Sequence, residues 1–350
     1  MLLLTRFSLL PLLGLFSVGA VIAAELEKAP EGSFTIVAIP DTQGYFGLGT
    51  KRSPASNDPV TNPVFEKHVR WIRDNLEAQR IVFVTHVGDI VDRNNEAEWT
   101  VARRCLDVLH GIVPYSLTVG NHDMTARGDS SLFQQYFGAE RYRDFPWYGG
   151  DFESGRPSPA VSGNNANSFQ LFHAEGLDFI HISLECNAPD DVLAWANDLL
   201  ARYEGRRALI TTHMDLGVLE HPKSDDGFIH DPKGRMRWTK CHGERGNTAV
   251  QMWDELYRKH ANLAFVFSGD QSRCTALRLD QAGDHGNQVH SLLSDYTSSG
   301  PLRLYRFIPS ENQVRVITYD TTQRELTGTT EYVEDWESHQ FTIPYLMRSE

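Results

Sequence analysis

The sequence predicts an α/β domain, and three observations lead there. Apolar, β-branched runs alternate with segments whose apolar residues recur at helical spacing, an order that gives right-handed crossovers and a parallel sheet. Three of those runs end in Asp41-Thr42-Gln43, Gly88-Asp89 and Gly120-Asn121-His122-Asp123, so reactive side chains collect at the carboxyl edge, where open α/β sheets bind ligands. From Thr275 onward, short alternating segments with turn residues predict an antiparallel sheet completing the same domain.

Leu2–Ala24 is a nearly uncharged apolar run that ends in Val21-Ile22-Ala23-Ala24, small residues that suit a signal peptidase. Residues 1–24 are therefore expected to be a signal peptide, with 25–350 as one exported domain, periplasmic or extracellular. An uncleaved anchor is the competing reading of the same run. No second such run occurs, so no membrane span is expected once the signal is removed.

Phe34–Pro40 reads as the first strand, and the Gly-, Ser- and Pro-rich stretch Tyr45–Pro59 as a loop beside the site. Asn62-Pro63 caps and starts a helix with Phe65, His68, Val69 and Ile72 on its apolar face, which makes His68 a packed residue. Val82–Val87 is the second strand, Glu96–Leu109 a helix and Val113–Val119 the third strand. After a helix at Ser130–Phe137, residues 138–167 read as a long loop whose Trp147-Tyr148-Gly149-Gly150 either lines a substrate groove or plugs the sheet edge. Ser168–His173 and Asp178–Ser183 form a hairpin, Asp190 opens an amphipathic helix, and Ala208–Thr212 is a strand ending in His213. A helix at Thr248–His260 precedes the strand Leu263–Phe267, which runs into Gly269-Asp270-Gln271-Ser272.

The 33 basic side chains face 46 acidic ones, a formal charge of −13 that deepens by one without Arg6. Such a surface disfavours nucleic acid and anionic lipid in general, although a local basic pocket can still hold a phosphate. Export would allow Cys105, Cys186, Cys241 and Cys274 two disulfides in any of three pairings; Cys241 with Cys274 would brace the intervening loop.

Carboxylates brought together by neighbouring strand ends are costly unless a cation holds them, which predicts a metal site. In order along the chain stand Asp41-x-Gln43, Gly88-Asp89-x-x-Asp92, Gly120-Asn121-His122-Asp123, His213 and Gly269-Asp270-x-Ser272. With these motifs the chain resembles the calcineurin-like metallophosphoesterases, and within them the branch that opens with Asp-Thr-Gln in place of Asp-x-His. The resemblance implies a four-layer αββα sandwich of two mixed β-sheets around a two-metal centre. Asp89 would bridge the metals, Asp41 bind the first, and Asn121 and His213 the second. His122 would act on the phosphoryl or leaving-group oxygen, with Asp123 orienting its imidazole. Such a cation pair activates water and neutralises the phosphate under attack.

Gln43, Asp270 and Ser272 replace histidines of the family pattern, with Gln43 and Asp270 as candidate ligands. The resulting oxygen-rich shell favours Mn, Mg, Ca or Fe over Zn, one or two divalent ions per chain, the first of them held more weakly. His86, His285 and His290 are the imidazoles that could compensate, His285 being the best placed; His110, His173 and His181 read as structural. The segment His221–Gly246, with Arg235 and Arg237, is either a basic lid or a solvated loop. The expected function is an exported phosphoesterase hydrolysing a mono- or diester of a phosphorylated small molecule or lipid. The alternative is a metal- or phosphate-binding protein that kept the fold and lost turnover.

Overall fold

A computed structural model of the chain describes residues 25–125, 127–155, 161–217, 239–271 and 276–348. Two seven-stranded sheets organise them. The first runs β13 (Glu325–Leu326), β12 (Gln313–Asp320), β11 (Pro301–Ile308), β1 (Phe34–Ile39), β2 (Ile81–His86), β3 (Tyr115–Leu117), and β14 (Phe341–Pro344) also pairs β12. β1, β2 and β3 are parallel, and β11 joins β1 antiparallel. The second runs β4 (Tyr148–Asp151), β5 (Ser168–Ala174), β6 (Leu177–Leu184), β7 (Arg207–Thr212), β8 (Leu263–Ser268), β10 (Gln288–Ser294), β9 (Ala276–Ala282). Its centre, β6 to β10, is parallel and both its flanks are antiparallel.

Central strands lie covered on both faces, which is why β1 and β8 read as unbroken apolar runs rather than alternating ones. Their inner faces meet each other: Phe83 stacks on Phe172 at 4.7 Å between ring centres, and Ile36, Ala38, Phe265 and Phe267 join the same core. Burying one such ring contributes about 1.5–3 kcal/mol. The outer face of the first sheet carries α1 (Pro63–Asp74), α2 (Glu96–Leu106) and α3 (Ser131–Phe137). The outer face of the second carries α4 (Asp190–Arg202) and, beyond the short α5 (Thr239–His242), α6 (Ala249–Glu255). The layers are therefore αββα, two mixed sheets between helices. Among the described residues no helix is long and apolar enough to cross a membrane.

Local chemistry sets the element ends. Asn62 accepts from the N–H of Phe65 and Pro63 occupies the first turn of α1, whose buried His68 bonds Thr321 Oγ1 at 2.9 Å. The helix expected to reach His260 stops at Glu255, where Leu256 leaves the helical region at φ −133° and ψ −62° and Tyr257–Lys259 follow as a 3-10 turn. Thr248 closes its other end in a capping box with Gln251. Residues 138–167 include β4, an edge strand: Trp147 stacks on Phe145 at 5.1 Å and Tyr148 bonds Asn165, so this aromatic run plugs the sheet edge. Hydrogen bonds also tie the sheets near the site, with Thr85 donating to Thr211 at 2.9 Å and Thr118 paired to Ser183 at 2.8 Å.

Candidate metal centre

Asp41 leaves β1, Asp89 leaves β2 and His213 leaves β7, and one ligand atom from each lies within 4.8 Å of the others. All three residues are buried. His213 Nδ1 lies 2.9 Å from the Val87 carbonyl, a contact that places its proton there and turns Nε2 inward. That Nε2 is 3.2 Å from Asp89 Oδ1 and 3.6 Å from Asp270 Oδ1. Burial disfavours the imidazolium, yet Asp89, Asp41 and Asp270 overcome it and hold the His213 pKa well above its usual value. The same field favours any cation at this spot.

Asp89 takes a left-handed backbone, φ +49°, uncommon for a residue with a side chain and a mark of local strain at a site. Its Oδ1 accepts from the His122 N–H at 2.8 Å and its Oδ2 from the Gln43 amide at 2.8 Å. Burial pushes the Asp89 carboxyl up, but His213 and His122 outweigh it and leave the pKa lowered. Two glycines make the packing possible: a Cβ on Gly120 would lie 2.2 Å from both the Asp89 nitrogen and its Oδ1, and one on Gly269 would lie 2.2 Å from Asp41 Oδ1. Among the described residues Asp41 Oδ1 is buried without a hydrogen bond, and burial first, then Asp295, raises the pKa of this carboxyl well above the usual range. A buried carboxylate oxygen without a partner, facing a second carboxylate and an imidazole, fits a divalent cation.

Residues 34–274 match the family model for calcineurin-like phosphoesterase. The chain belongs to that family. It is 28% identical over 300 residues to the uncharacterized protein YvnB of Bacillus subtilis, a match that covers 82% of this chain and 20% of the relative. The chain thus spans about a fifth of the length of that curated relative. Similar solved structures include the 5'-nucleotidase precursor of Thermus thermophilus, at 12% identity and TM-score 0.46 over 84% of this chain and 53% of that one. The NAD nucleotidase of Haemophilus influenzae matches at 11% identity and TM-score 0.44 over 86% and 49% of the two chains. Likeness at this level says nothing of substrate.

Around the three ligands, the other expected residues take varied places. Asn121 is buried beside His122. Gln43 faces the centre, but its amide nitrogen donates to Asp89 Oδ2, so in this arrangement it steadies that carboxylate. Asp270 sits at φ +71° with Oδ2 bonded by Gln271, and burial, opposed by His213, pushes its pKa up to about 7. Ser272, most of the basic segment after His213 with Arg235 and Arg237, and Cys274 lie outside the described residues. The expected Cys241–Cys274 pairing thus falls on a residue outside the described ones; Cys241 is a free thiol that meets that of Cys186.

Two expectations are corrected. Asp123 does not orient the His122 imidazole: its carboxylate accepts from the N–H groups of Ile90, Val91 and Gly120 at 2.8–3.1 Å and braces the two site loops instead. The ring is held by Asp92, whose carbonyl lies 2.7 Å from Nδ1, while Nε2 stays 4.0 Å from Asp89 Oδ2 with the side chain 29% exposed. Nor does His285 compensate for a missing imidazole, since it lies in an exposed turn against the Lys259 carbonyl, and His290 pairs with Asp280. His86 is a positioning residue: it bonds Thr42 Oγ1 at 3.0 Å and accepts from the Gly88 N–H at 3.2 Å, and burial lowers its pKa to about 3, so it stays neutral. Sequence reasoning passed over Asp295, although Leu292-Leu293 leads into Ser294-Asp295 much as the first strands end in carboxylates.

Proposed function

We propose that the chain is a divalent-metal-dependent phosphoesterase that hydrolyses a phosphate mono- or diester by direct attack of water. The observation that supports this best is the convergence of Asp41, Asp89 and His213 on one small volume in a chain of the calcineurin-like family. In this reading Asp41, Asp89 and His213, with Asn121 and Asp270 beside them, would hold the cations. Bound there, the cations activate water and neutralise the phosphate oxygens. His122, its Nδ1 side taken by the Asp92 carbonyl, presents Nε2 to a phosphoryl or leaving-group oxygen. Asp123 holds the Asp89 and Asn121 loops in register, and Gln43 fixes Asp89 Oδ2.

The oxygen-rich donor set favours Mn, Mg, Ca or Fe over Zn. We also infer that the chain belongs to the branch of the family that opens with Asp-Thr-Gln in place of Asp-x-His. We further infer export behind a signal peptide at residues 1–24, one domain over 25–350, and a phosphorylated small molecule or lipid as substrate. A panel of chromogenic phosphate mono- and diesters, assayed with each added metal and with Asp89→Ala as the blank, tests the reading. Metal-restored hydrolysis absent from the blank supports it. Tight metal binding with no hydrolysis of any ester favours the rival, a fold-retaining binding protein, which Gln43 on Asp89 Oδ2 keeps open.

A further inference from the structure

β10 runs parallel to β8 with Leu293 opposite Ser268. Asp270 stands two residues past Ser268 and Asp295 two past Leu293, so both carboxylates leave neighbouring strands at the edge that carries the metal centre. Asp295 is 1% exposed. Its Oδ1 accepts from the Thr297 N–H at 3.0 Å and from the Thr297 hydroxyl; among the described residues Oδ2 takes no hydrogen bond. The loop that follows is fastened to Asp41, whose carbonyl accepts from the Ser298 N–H at 3.2 Å. Thr297 and Ser298 are held there at φ +28° and +58°. A β-branched residue in that region costs roughly 1–3 kcal/mol and persists only where its surroundings dictate it.

Charge points the same way. Asp41, Asp89, Asp270 and Asp295 are four buried carboxyl groups, and the described imidazoles beside them are His213 and the part-exposed His122. Among the described residues Asp41 Oδ1, pressed against Gly269, has no hydrogen bond to offset its burial. Clustered carboxylates so poor in counter-charge either take up protons or are held by added cations.

We propose that Asp295 ligates the cation held by Asp41, offering Oδ2 as an oxygen donor while Thr297 fixes Oδ1. The inference rests on the metal-centre reading above and adds a ligand from outside the motifs that identify the family. It makes the Asp41 side of the centre a carboxylate pair, a setting for a hard ion such as Mn²⁺.

The test uses the mature chain, stripped of metal and titrated with Mn²⁺, with free Mn²⁺ read by electron paramagnetic resonance and unfolding followed in chelator. Asp295→Asn keeps an acceptor for Thr297 and removes the charge. The proposal expects its Kd for one Mn²⁺ equivalent to rise at least about ten-fold while the unfolding midpoint in chelator holds or rises, because carboxylate repulsion is relieved. An unchanged Kd overturns it. So does a weaker Kd accompanied by a fall in the chelator midpoint matching that of Thr297→Val, which would make Asp295 a brace for its loop. A wild-type chain that binds no Mn²⁺ overturns the metal-centre reading and this inference together, whereas tight wild-type binding undiminished in Asp295→Asn overturns the inference alone.

Discussion

Gly269→Ala separates the metal centre from the fold. The new methyl carbon would stand 2.2 Å from Asp41 Oδ1 and 2.7 Å from Val87 Cγ2. Carbon–oxygen contacts relax at about 3.3 Å, so one partner must retreat by roughly 1 Å. Asp41 Oδ1 is the end of a side chain and carries no hydrogen bond, so it gives way most easily. The backbone is spared, and overpacking of this kind costs on the order of 1–3 kcal/mol. Metal–ligand distances tolerate only about 0.2 Å, and disturbances of a metal site's support typically cost about 10–100-fold in affinity. Titration of the metal-stripped variant with Mn²⁺, beside urea unfolding in chelator, should therefore show a Kd raised about 10–100-fold on a protein still folded. A Kd within about three-fold of wild type would refute the placement of Asp41 in the centre.

Gly120→Ala should behave differently, since its methyl would meet the backbone nitrogen of Asp89 at 2.2 Å; its unfolding midpoint in chelator should fall below that of Gly269→Ala, and equal midpoints would contradict the packing described. His122→Asn should lower kcat by about 10²-fold or more with little change in KM and none in metal content, measured by steady-state kinetics and elemental analysis. A matching loss of metal would instead make His122 a ligand. His68, buried on α1, has its pKa lowered to about 3 by burial, whereas the unfolded chain protonates it near the ordinary value of about 6.5. Below that value the unfolded state gains the proton first, so stability is whole above pH about 6.5 and lost as pH falls towards about 3. The loss approaches about 1.4 kcal/mol per pH unit, and His68→Gln should remove about 2 kcal/mol of the decline between roughly pH 6.5 and 4.5, read from urea midpoints in chelator. Parallel curves for the two proteins would count against it.

The parts of the fold legible in the sequence were those whose burial leaves a one-dimensional trace. β1, β2 and β8 are covered on both faces and show as continuous apolar runs, and Asn62-Pro63 announces α1 through capping chemistry. β4 was not legible, because Gly149 and Gly150 write turn chemistry into a strand that is held by pairing to β5. At the centre, strand ends brought Asp41, Asp89 and His213 into view, and they converge. Which atom each neighbour reaches was hidden: Asp123 and His122 are adjacent in sequence, yet their side chains point to different partners, Asp123 to three amides and His122 to Asp92. His285 looked well placed for a ligand, but β10 carries its turn to the opposite end from Asp295, against Lys259. Asp295 was harder to read, since His290 and Ser291 interrupt the apolar residues of β10, and its meaning depends on β10 lying beside β8, a pairing that sequence order does not reveal.

The most direct test of the central claim is the metal content per chain of the purified mature protein after desalting, measured by elemental mass spectrometry for wild type and Asp89→Asn. Asp89 is the carboxylate placed between His213 and Gln43, so its neutralisation should strip the centre. The account predicts one to two equivalents of a divalent metal in the wild type and a small fraction of that in the variant. No metal in the wild type even after incubation with Mn²⁺, or equal metal in both proteins, would contradict it.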